Sequence, residues 1–372
     1  MTRVAIDARL LAYQRAGTAT YIRGLIDGFH TIRQAKDLVL LTSRRDERAY
    51  EIRQVARRKM WTPCHHRLER WTLGLELATQ PVDVLHSPDF IAPARLGRRW
   101  ARVITVHDLA FLRYPHLLTN DSRRYYGQIF RSTREAECII AVSEATRQDL
   151  FDLVGVPASK VTVVSEGVDS HFAPMSESIA RRQVLDRFGI DAPFFLFVGT
   201  IEPRKNLKRL VQAFAIFRQH AVSSDALLVL AGNRGWLSDE LDEVVRPLGD
   251  SVRMIGRVSE EDLIHLYNAT LAVVLVSLYE GFGLPVVEAM ACARPVLVSN
   301  RAALPDVVGD AGLLVEAEDV NAIALGFERL WEDESLRRVL GERGRQRAQS
   351  FDWATAAQRT GEVYRKAAAC VS

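Results

Sequence analysis

Two doubly wound parallel sheets in tandem, an α/β architecture, are what this sequence predicts, and three observations predict it. Short runs rich in Val and Ile recur without apolar–polar alternation, as strands buried on both faces of a parallel sheet require. Longer amphipathic segments separate them, as the crossover helices of βαβ units do. The pattern pauses at a looser stretch, residues 168–174, and then begins again. A length of 372 residues also suits two domains of roughly 100–200 residues each.

In the first half, strands are expected at residues 4–7, 38–42, 82–86, 103–107, 139–142 and 161–164. Helices at 20–29 and 144–154 fill gaps between them, the second with Ser143 placed to cap its first turn. In the second half, strands are expected at 194–198, 227–231, 252–255, 271–276, 296–299 and 312–315. The closing segment, 353–368, reads as an amphipathic helix. In such sheets ligands sit at the C-terminal ends of the strands.

Composition narrows the class. With 48% hydrophobic and 26% charged residues the chain is that of an ordinary soluble globular protein. No stretch approaches the roughly 20 apolar residues that span a bilayer, and Asp7 and Arg9 interrupt the run that a secretory signal needs. Cys64, Cys138, Cys292 and Cys370 are scattered without a CxxC pair, which points to a reduced, cytoplasmic protein with neither a zinc site nor a disulfide framework. The net charge of +3 is unevenly spread: residues 1–172 hold 26 Lys and Arg against 19 Asp and Glu, and the remainder 23 against 27. The excess gathers between Arg44 and Arg70, including Arg57, Arg58 and Lys59, and at Arg95, Arg98 and Arg99. It reads either as a solvated surface or as attraction to an anionic membrane face or phosphorylated acceptor. No nucleic-acid-binding motif accompanies it, so nucleic acid is not an expected partner.

The residues that carry chemistry are concentrated at 275–291, LVSLYEGFGLPVVEAMA. A buried strand ends near Ser277, a glycine-bearing turn follows, and Pro285 stands where a helix begins, suited to the first helical position because its missing N–H would be unbonded there. Gly281 and Gly283 let backbone approach a ligand closely, and a helix start offers N–H groups and a positive dipole end to phosphate. Glu280 and Glu288, read as lying before the turn and in the first helical turn, supply carboxylates that accept hydrogen bonds from paired hydroxyls, one from a sugar and one from a ribose. For Glu288 alone the plainer reading is an acid favoured near a helix N-terminus, worth under about 1 kcal/mol.

With these residues in view, the chain resembles the retaining glycosyltransferases of the GT-B fold, family 4, whose E-x7-E signature matches Glu280 and Glu288 within EGFGLPVVEAMA. The resemblance spans nearly the whole chain. It takes in Ile6 to Arg9 with the Gly17 loop, Val106 to Leu109, Ala141 to Ser143, Val198 to Thr200 with Glu202 to Leu207, Ala231-Gly232, Ile255 to Arg257 and Leu304 to Asp306. It implies two Rossmann-like domains flanking an interdomain cleft: residues 1–172 plus 353–372, the acceptor side with the crossover helix, and residues 173–352, which bind a nucleotide-sugar donor.

Residue by residue, the resemblance implies that Arg204 and Lys205 bind the donor pyrophosphate and stabilise the leaving nucleotide. Glu280 contacts the donor sugar, Glu288 the ribose, and the amides of Phe282, Gly283 and Leu284 approach sugar or phosphate. His107 contacts the donor sugar, and Gly17 and Thr18 border phosphate and acceptor. His86 reads as structural or acceptor-side, and His65 and His66 as surface residues. No convincing carboxylate nucleophile emerges, so same-face attack through an oxocarbenium-like state is expected rather than the two-carboxylate scheme of retaining glycosidases. The absence of an Asp-x-Asp motif, beside Arg204 and Lys205, points to a reaction that needs no metal and no other cofactor. GDP-mannose leads as donor and UDP-sugars follow; a glycan, a lipid-linked sugar or a small molecule is the acceptor. The expected location is cytoplasmic, with peripheral contact at the inner membrane face through the basic N-terminal domain.

Three departures stand out. Thr200 occupies a place where many members have arginine, Ala293 replaces the glycine of an Ala-Cys-Gly turn, and Gly17-Thr18-Ala19 is poorer in glycine than its counterparts. The rivals are a GT-B nucleotide-sugar epimerase, a pyridoxal phosphate phosphorylase and a non-catalytic nucleotide-sugar-binding protein. A dehydrogenase and a P-loop enzyme lack their glycine-rich fingerprints here.

Overall fold

The computed structural model describes residues 2–12, 17–44, 55–96, 100–118, 120–219, 225–235 and 239–371. The chain divides into two units: Met1–Gly167 with Asp352–Ser372, and Val168–Phe351.

The first unit has a seven-stranded parallel sheet of β1 (Val4–Asp7), β2 (Leu38–Ser43), β3 (Ala56–Met60), β4 (Val84–Ser87), β5 (Ala101–Val106), β6 (Cys138–Ala141) and β7 (Val161–Val163). Their order is β3-β2-β1-β4-β5-β6-β7, so chain direction across the sheet reverses between β1 and β4. Every residue of β1, β4, β5 and β6 is buried, which is why these strands carry no alternation. β3 was not among the expected strands. Its sequence, ARRKM, leaves all but Met60 exposed, and its lysine and arginines suit an unpaired sheet edge. Arg98 and Arg99, and residues 45–54 of the basic segment, lie outside the described residues.

One face of this sheet is covered by the Gly17–Thr31 and Trp353–Ala369 helices. Ile22, Leu25, Ile26 and Phe29 of the first meet Trp353, Ala357 and Tyr364 of the second over Ile6, Val103 and Ile140. The other face carries two smaller apolar groups, one around Ile104, Val106, Ile139 and Leu150, the other around Leu73, Leu77 and Trp100. The Glu144–Val154 helix is capped as expected, the Ser143 hydroxyl accepting from the Thr146 amide at 3.1 Å.

Polar groups inside this unit are fully partnered at two places. Arg9, 1% exposed, pairs with Asp7 and Glu69, each at 2.6 Å, and donates to the Thr62 carbonyl at 2.8 Å. His86, wholly buried, has Nδ1 2.7 Å from the Tyr364 hydroxyl and Nε2 2.8 Å from Thr105 Oγ1, which in turn meets the Tyr21 hydroxyl at 3.0 Å. Its place is inside the fold, tying β4 and β5 to the last helix. His65 and His66 are exposed, with His65 stacked on Tyr125.

The second unit repeats the plan with β8 (Phe194–Val198), β9 (Leu227–Ala231), β10 (Val252–Gly256), β11 (Ala272–Leu275), β12 (Val296–Ser299) and β13 (Leu313–Val315), ordered β10-β9-β8-β11-β12-β13. All pairs are parallel, and direction reverses between β8 and β11. The rings of Phe195, Phe214, Phe217 and Phe327 pack against one another on one side of β8. None of the four cysteines forms a disulfide. No helix among the described residues is long and apolar enough to cross a membrane.

Candidate active site

The reversal between β8 and β11 fixes where the second unit offers a crevice, because the loops after the two strands leave in opposite directions there. After β8 the chain makes a short 3-10 turn, Pro203–Lys205, and enters the Leu207–Phe217 helix through Asn206. Asn206 adopts a left-handed φ of 59°, which asparagine tolerates better than most residues. Its side-chain amide donates to the carbonyls of Val276 at 3.0 Å and Ala317 at 2.6 Å, and the Leu278 amide donates to the Arg204 carbonyl at 2.9 Å. These bonds tie the basic turn to the segments that follow β11 and β13.

Three of the residues singled out in the sequence consequently meet. Lys205 Nζ lies 2.7 and 3.0 Å from the two carboxylate oxygens of Glu280, and Arg204 donates to Glu280 Oε2 at 3.0 Å and to the Tyr279 carbonyl at 2.8 Å. Ser277 Oγ adds a bond to Glu280 Oε1 at 2.6 Å, and Glu202 holds the other edge of the Arg204 guanidinium at 2.6 Å. Burial by itself pushes the Glu280 carboxyl up, but the Lys205 and Arg204 cations outweigh it and hold the group down at about 2. Glu280 is therefore an ionised acceptor over the whole physiological range.

Past Glu280, the Phe282 ring turns inward against Phe351, with centroids 5.5 Å apart. Gly283 takes φ 105°, and a β-carbon there would fall 2.8 Å from Leu304 Cδ2, so both conformation and space call for glycine. With Gly283 as its cap, the Leu284–Ala291 helix starts at Leu284. Pro285 is thus the second helical residue rather than the first, and Glu288 the fifth, in the second turn rather than the first. Glu288 is buried and accepts from the Tyr267 hydroxyl at 2.7 Å. Burial and then the Glu288 charge push the Tyr267 hydroxyl upward, so it stays a donor. At the far end of the helix, Ala293 keeps a left-handed φ of 56°.

His107, Gly17 and Thr18 belong to the first unit. His107 follows β5, which ends one residue earlier than expected. Its Nδ1 lies 2.9 Å from Glu166 and its Nε2 2.8 Å from the Pro88 carbonyl, with the Tyr21 ring edge-on at 4.9 Å. Burial lowers its pKa, but the hydrogen bond and charge of Glu166 prevail and raise it. Gly17 and Thr18 open the Gly17–Thr31 helix; Gly17 is exposed, with nothing within 4 Å of where a β-carbon would stand. Neither ring bond of His107 reaches them.

Four partners of these residues were given no site role in the sequence, although Glu202 and Ser277 lie within the segments quoted there. Those two stand two and three residues from groups that were given one, so a search for short-range acceptors and donors would have found them. Tyr267 and Glu166 lie 21 and 59 residues from their partners. Nothing local marks them. One group among the described residues, Asp169, His171 and Glu260, has metal-ligand atoms within 4.8 Å. It is solvent-facing, and its imidazole already meets Glu260 through Nε2 and Asp169 through Nδ1.

Comparison with known proteins adds identity to this geometry. The family model for glycosyl transferases group 1 matches residues 185–347, and that for Glycosyltransferase Family 4 matches residues 16–172. O-antigen chain mannosyltransferase B of Escherichia coli is 35% identical over 286 residues, 76% of this chain and 74% of that protein. Among solved structures, the sucrose-phosphate synthase of Thermosynechococcus elongatus superposes with a TM-score of 0.80 at 22% identity, over 99% of both chains. HepE of Anabaena, solved in complex with UDP and glucose, superposes at 0.74 with 20% identity over 97% of this chain and 99% of that one. The chain is therefore a glycosyltransferase of the GT-B fold, and belongs to the group 1, family 4 glycosyltransferases.

Proposed function

We propose that the enzyme transfers a hexose, with retention at the anomeric carbon and without a metal, from a nucleoside-diphosphate sugar to a glycan, lipid-linked or small-molecule acceptor. The observation that carries this reading is the convergence of Arg204 and Lys205 on Glu280, beside the glycine-capped start of the Leu284–Ala291 helix. Two cations next to a helix N-terminus suit a diphosphate, whose negative charge grows as the anomeric bond breaks. On donor binding the pyrophosphate takes over Arg204 and Lys205, the amides of Phe282, Gly283 and Leu284 approach sugar or phosphate, and Glu280 accepts from sugar hydroxyls. Glu288, oriented by Tyr267, accepts from the ribose. His107, Gly17 and Thr18 keep the sugar, phosphate and acceptor roles that the family resemblance implies for them.

A carboxylate held by two cations and a serine is a weak nucleophile, which supports same-face attack in which the leaving phosphate takes the acceptor proton. The same two cations supply the positive charge that a metal provides elsewhere. GDP-mannose is the leading donor because a relative at 35% identity is named a mannosyltransferase; UDP-sugars come second, since HepE was solved with UDP. That relative also favours a growing glycan as acceptor. Four cysteines without a disulfide suit a reducing, cytoplasmic compartment.

A thermal-shift panel of nucleotide sugars tests the donor. At about 100 times its Kd the true donor adds about 2.7 kcal/mol to the native state, and Lys205→Ala abolishes most of that shift together with transfer. Activity that vanished in EDTA and returned with manganese would overturn metal independence. A panel in which no nucleotide sugar shifted the parent, or in which Lys205→Ala left the shift unchanged, would overturn the site.

A further inference from the structure

The ends of three neighbouring strands, β5, β6 and β7, meet at His107. It directly follows β5, and its carbonyl accepts from the Thr146 hydroxyl of the helix after β6 at 3.3 Å. Glu166, three residues past β7, reaches its Nδ1 at 2.9 Å. The chain holds that carboxylate in place from both sides. Before it, the Val164 amide donates to the Ala141 carbonyl at 2.9 Å. After it, Gly167 is pressed on the last helix, where a β-carbon would fall 2.6 Å from the Trp353 nitrogen. The Glu166 side chain is 5% exposed and that of His107 23%, so the imidazole looks outward and the carboxylate does not.

Both ring nitrogens face acceptors. A carboxylate and a backbone carbonyl accept hydrogen bonds and donate none, so the contacts to Glu166 and Pro88 each require an N–H. The ring that satisfies both is the imidazolium. Its titratable neighbours suit that charge. Burial, then His107 itself, drives His86 down to about 3, so it is neutral. Burial raises the Tyr21 hydroxyl, which keeps its proton. Asp89 adds a second negative charge, and Asp108 turns to the Ala110 amide at 3.0 Å. The bond at Nδ1 joins two opposite charges and the bond at Nε2 only one, so Nε2–H is the more easily released to a ligand.

We propose that Glu166 is a positioning residue of the transfer: it fixes His107 as a donor-only cation, whose Nε2–H turns from the Pro88 carbonyl to a hydroxyl oxygen of the donor sugar and which takes no proton from the acceptor. This rests on the reading of His107 as a contact of the donor sugar. Transfer then has an alkaline limit. The cation is present below the folded pKa of His107, which lies above its ordinary 6.5, and is lost as pH rises through it.

NMR titration of ring-labelled histidines in the ligand-free full chain, with His107 assigned through His107→Gln, reads the pair directly. Glu166→Gln leaves an acceptor for Nδ1 but removes the charge, so the His107 midpoint should move down by about one pH unit or more. Glu166→Asp, which keeps the charge, should recover part of that shift. Turnover of GDP-mannose and of UDP-glucose, by transfer or by slow hydrolysis without acceptor, supplies the second readout. In the parent, kcat/KM should fall about tenfold per pH unit on the alkaline side, and in Glu166→Gln the fall should begin lower by the same amount as the NMR midpoint. Circular dichroism melting checks that each variant folds. A midpoint that stays in place would overturn the proposal whatever the donor is. So would a midpoint that moves while the alkaline limb does not, the result of a purely structural Glu166. A parent that turns over neither nucleotide sugar would instead bring down the functional reading, and the ligand-free titration keeps the two failures apart.

Discussion

Glu280 and His86 are both buried titratable groups, and their surroundings set them to opposite tasks. Glu280 has cations within 3.0 Å and stays charged. His86 has only neutral hydroxyls at its two nitrogens, and burial, followed by the His107 charge, drives it down to about 3. In the unfolded chain a histidine binds its proton near pH 6.5. Between about pH 6.5 and 3, therefore, the unfolded state holds a proton that native His86 refuses. This group's contribution is intact above pH 6.5 and declines by about 1.4 kcal/mol per pH unit as pH falls. His107 has the opposite sign: its raised pKa favours the native state below pH 6.5, and that gain disappears as pH rises through its folded value. Urea unfolding at a series of pH values should show His86→Gln less stable than the parent near pH 8 yet losing less stability toward pH 4; parallel curves would mean that native His86 titrates normally. At this scale, what the sequence disclosed was set by distance along the chain. Arg204, Lys205 and Glu280 were readable because each sits in a local motif, whereas the Tyr267 and Glu166 that orient Glu288 and His107 are brought there only by folding.

Strands and helices were readable where burial forces composition. β1, β8, β9 and β12 have the bounds their apolar runs implied, because a central parallel strand admits few polar residues. β3 escaped notice for the converse reason: as an edge strand it is held by backbone pairing to β2, and its side chains are free to be arginine and lysine. The start of the Leu284–Ala291 helix was misplaced by one residue because Gly283, rather than Pro285, sets it. Its end offers a test. Ala293 holds φ 56°, and a left-handed conformation costs a residue with a β-carbon about 1–2 kcal/mol. Part of that is offset because alanine loses less backbone freedom on folding. Ala293→Gly should therefore stabilise the second unit by roughly 0.5–1 kcal/mol, read as a higher melting temperature in calorimetry. A lower one would show that the turn bears the alanine without strain.

The chain leaves its first unit at Gly167, builds the second, and returns at Asp352 to complete the first with a single helix. That helix places Trp353, Ala356, Ala357, Val363, Tyr364 and Ala367 in the core around Ile6, Val103 and Ile140. The tight approach is built into the partner as well: a β-carbon on Gly24 would fall 1.9 Å from the Trp353 ring. Losing one large buried aromatic costs about 3–5 kcal/mol, and here two would go together with the hydroxyl that partners His86 Nδ1. The sum exceeds much of the 5–15 kcal/mol that holds a typical domain together. A chain ending at Phe351 should therefore lose the cooperative unfolding of its first unit, while the second, whose strands and phenylalanine core lie wholly within 168–351, keeps its own. Hydrogen exchange separates the two: amides of β1 and β5 should lose protection and those of β8 and β9 retain it. Protected β1 and β5 in the truncated chain would show that the first sheet is stable without its last helix, and would remove the energetic reason for the chain to cross back.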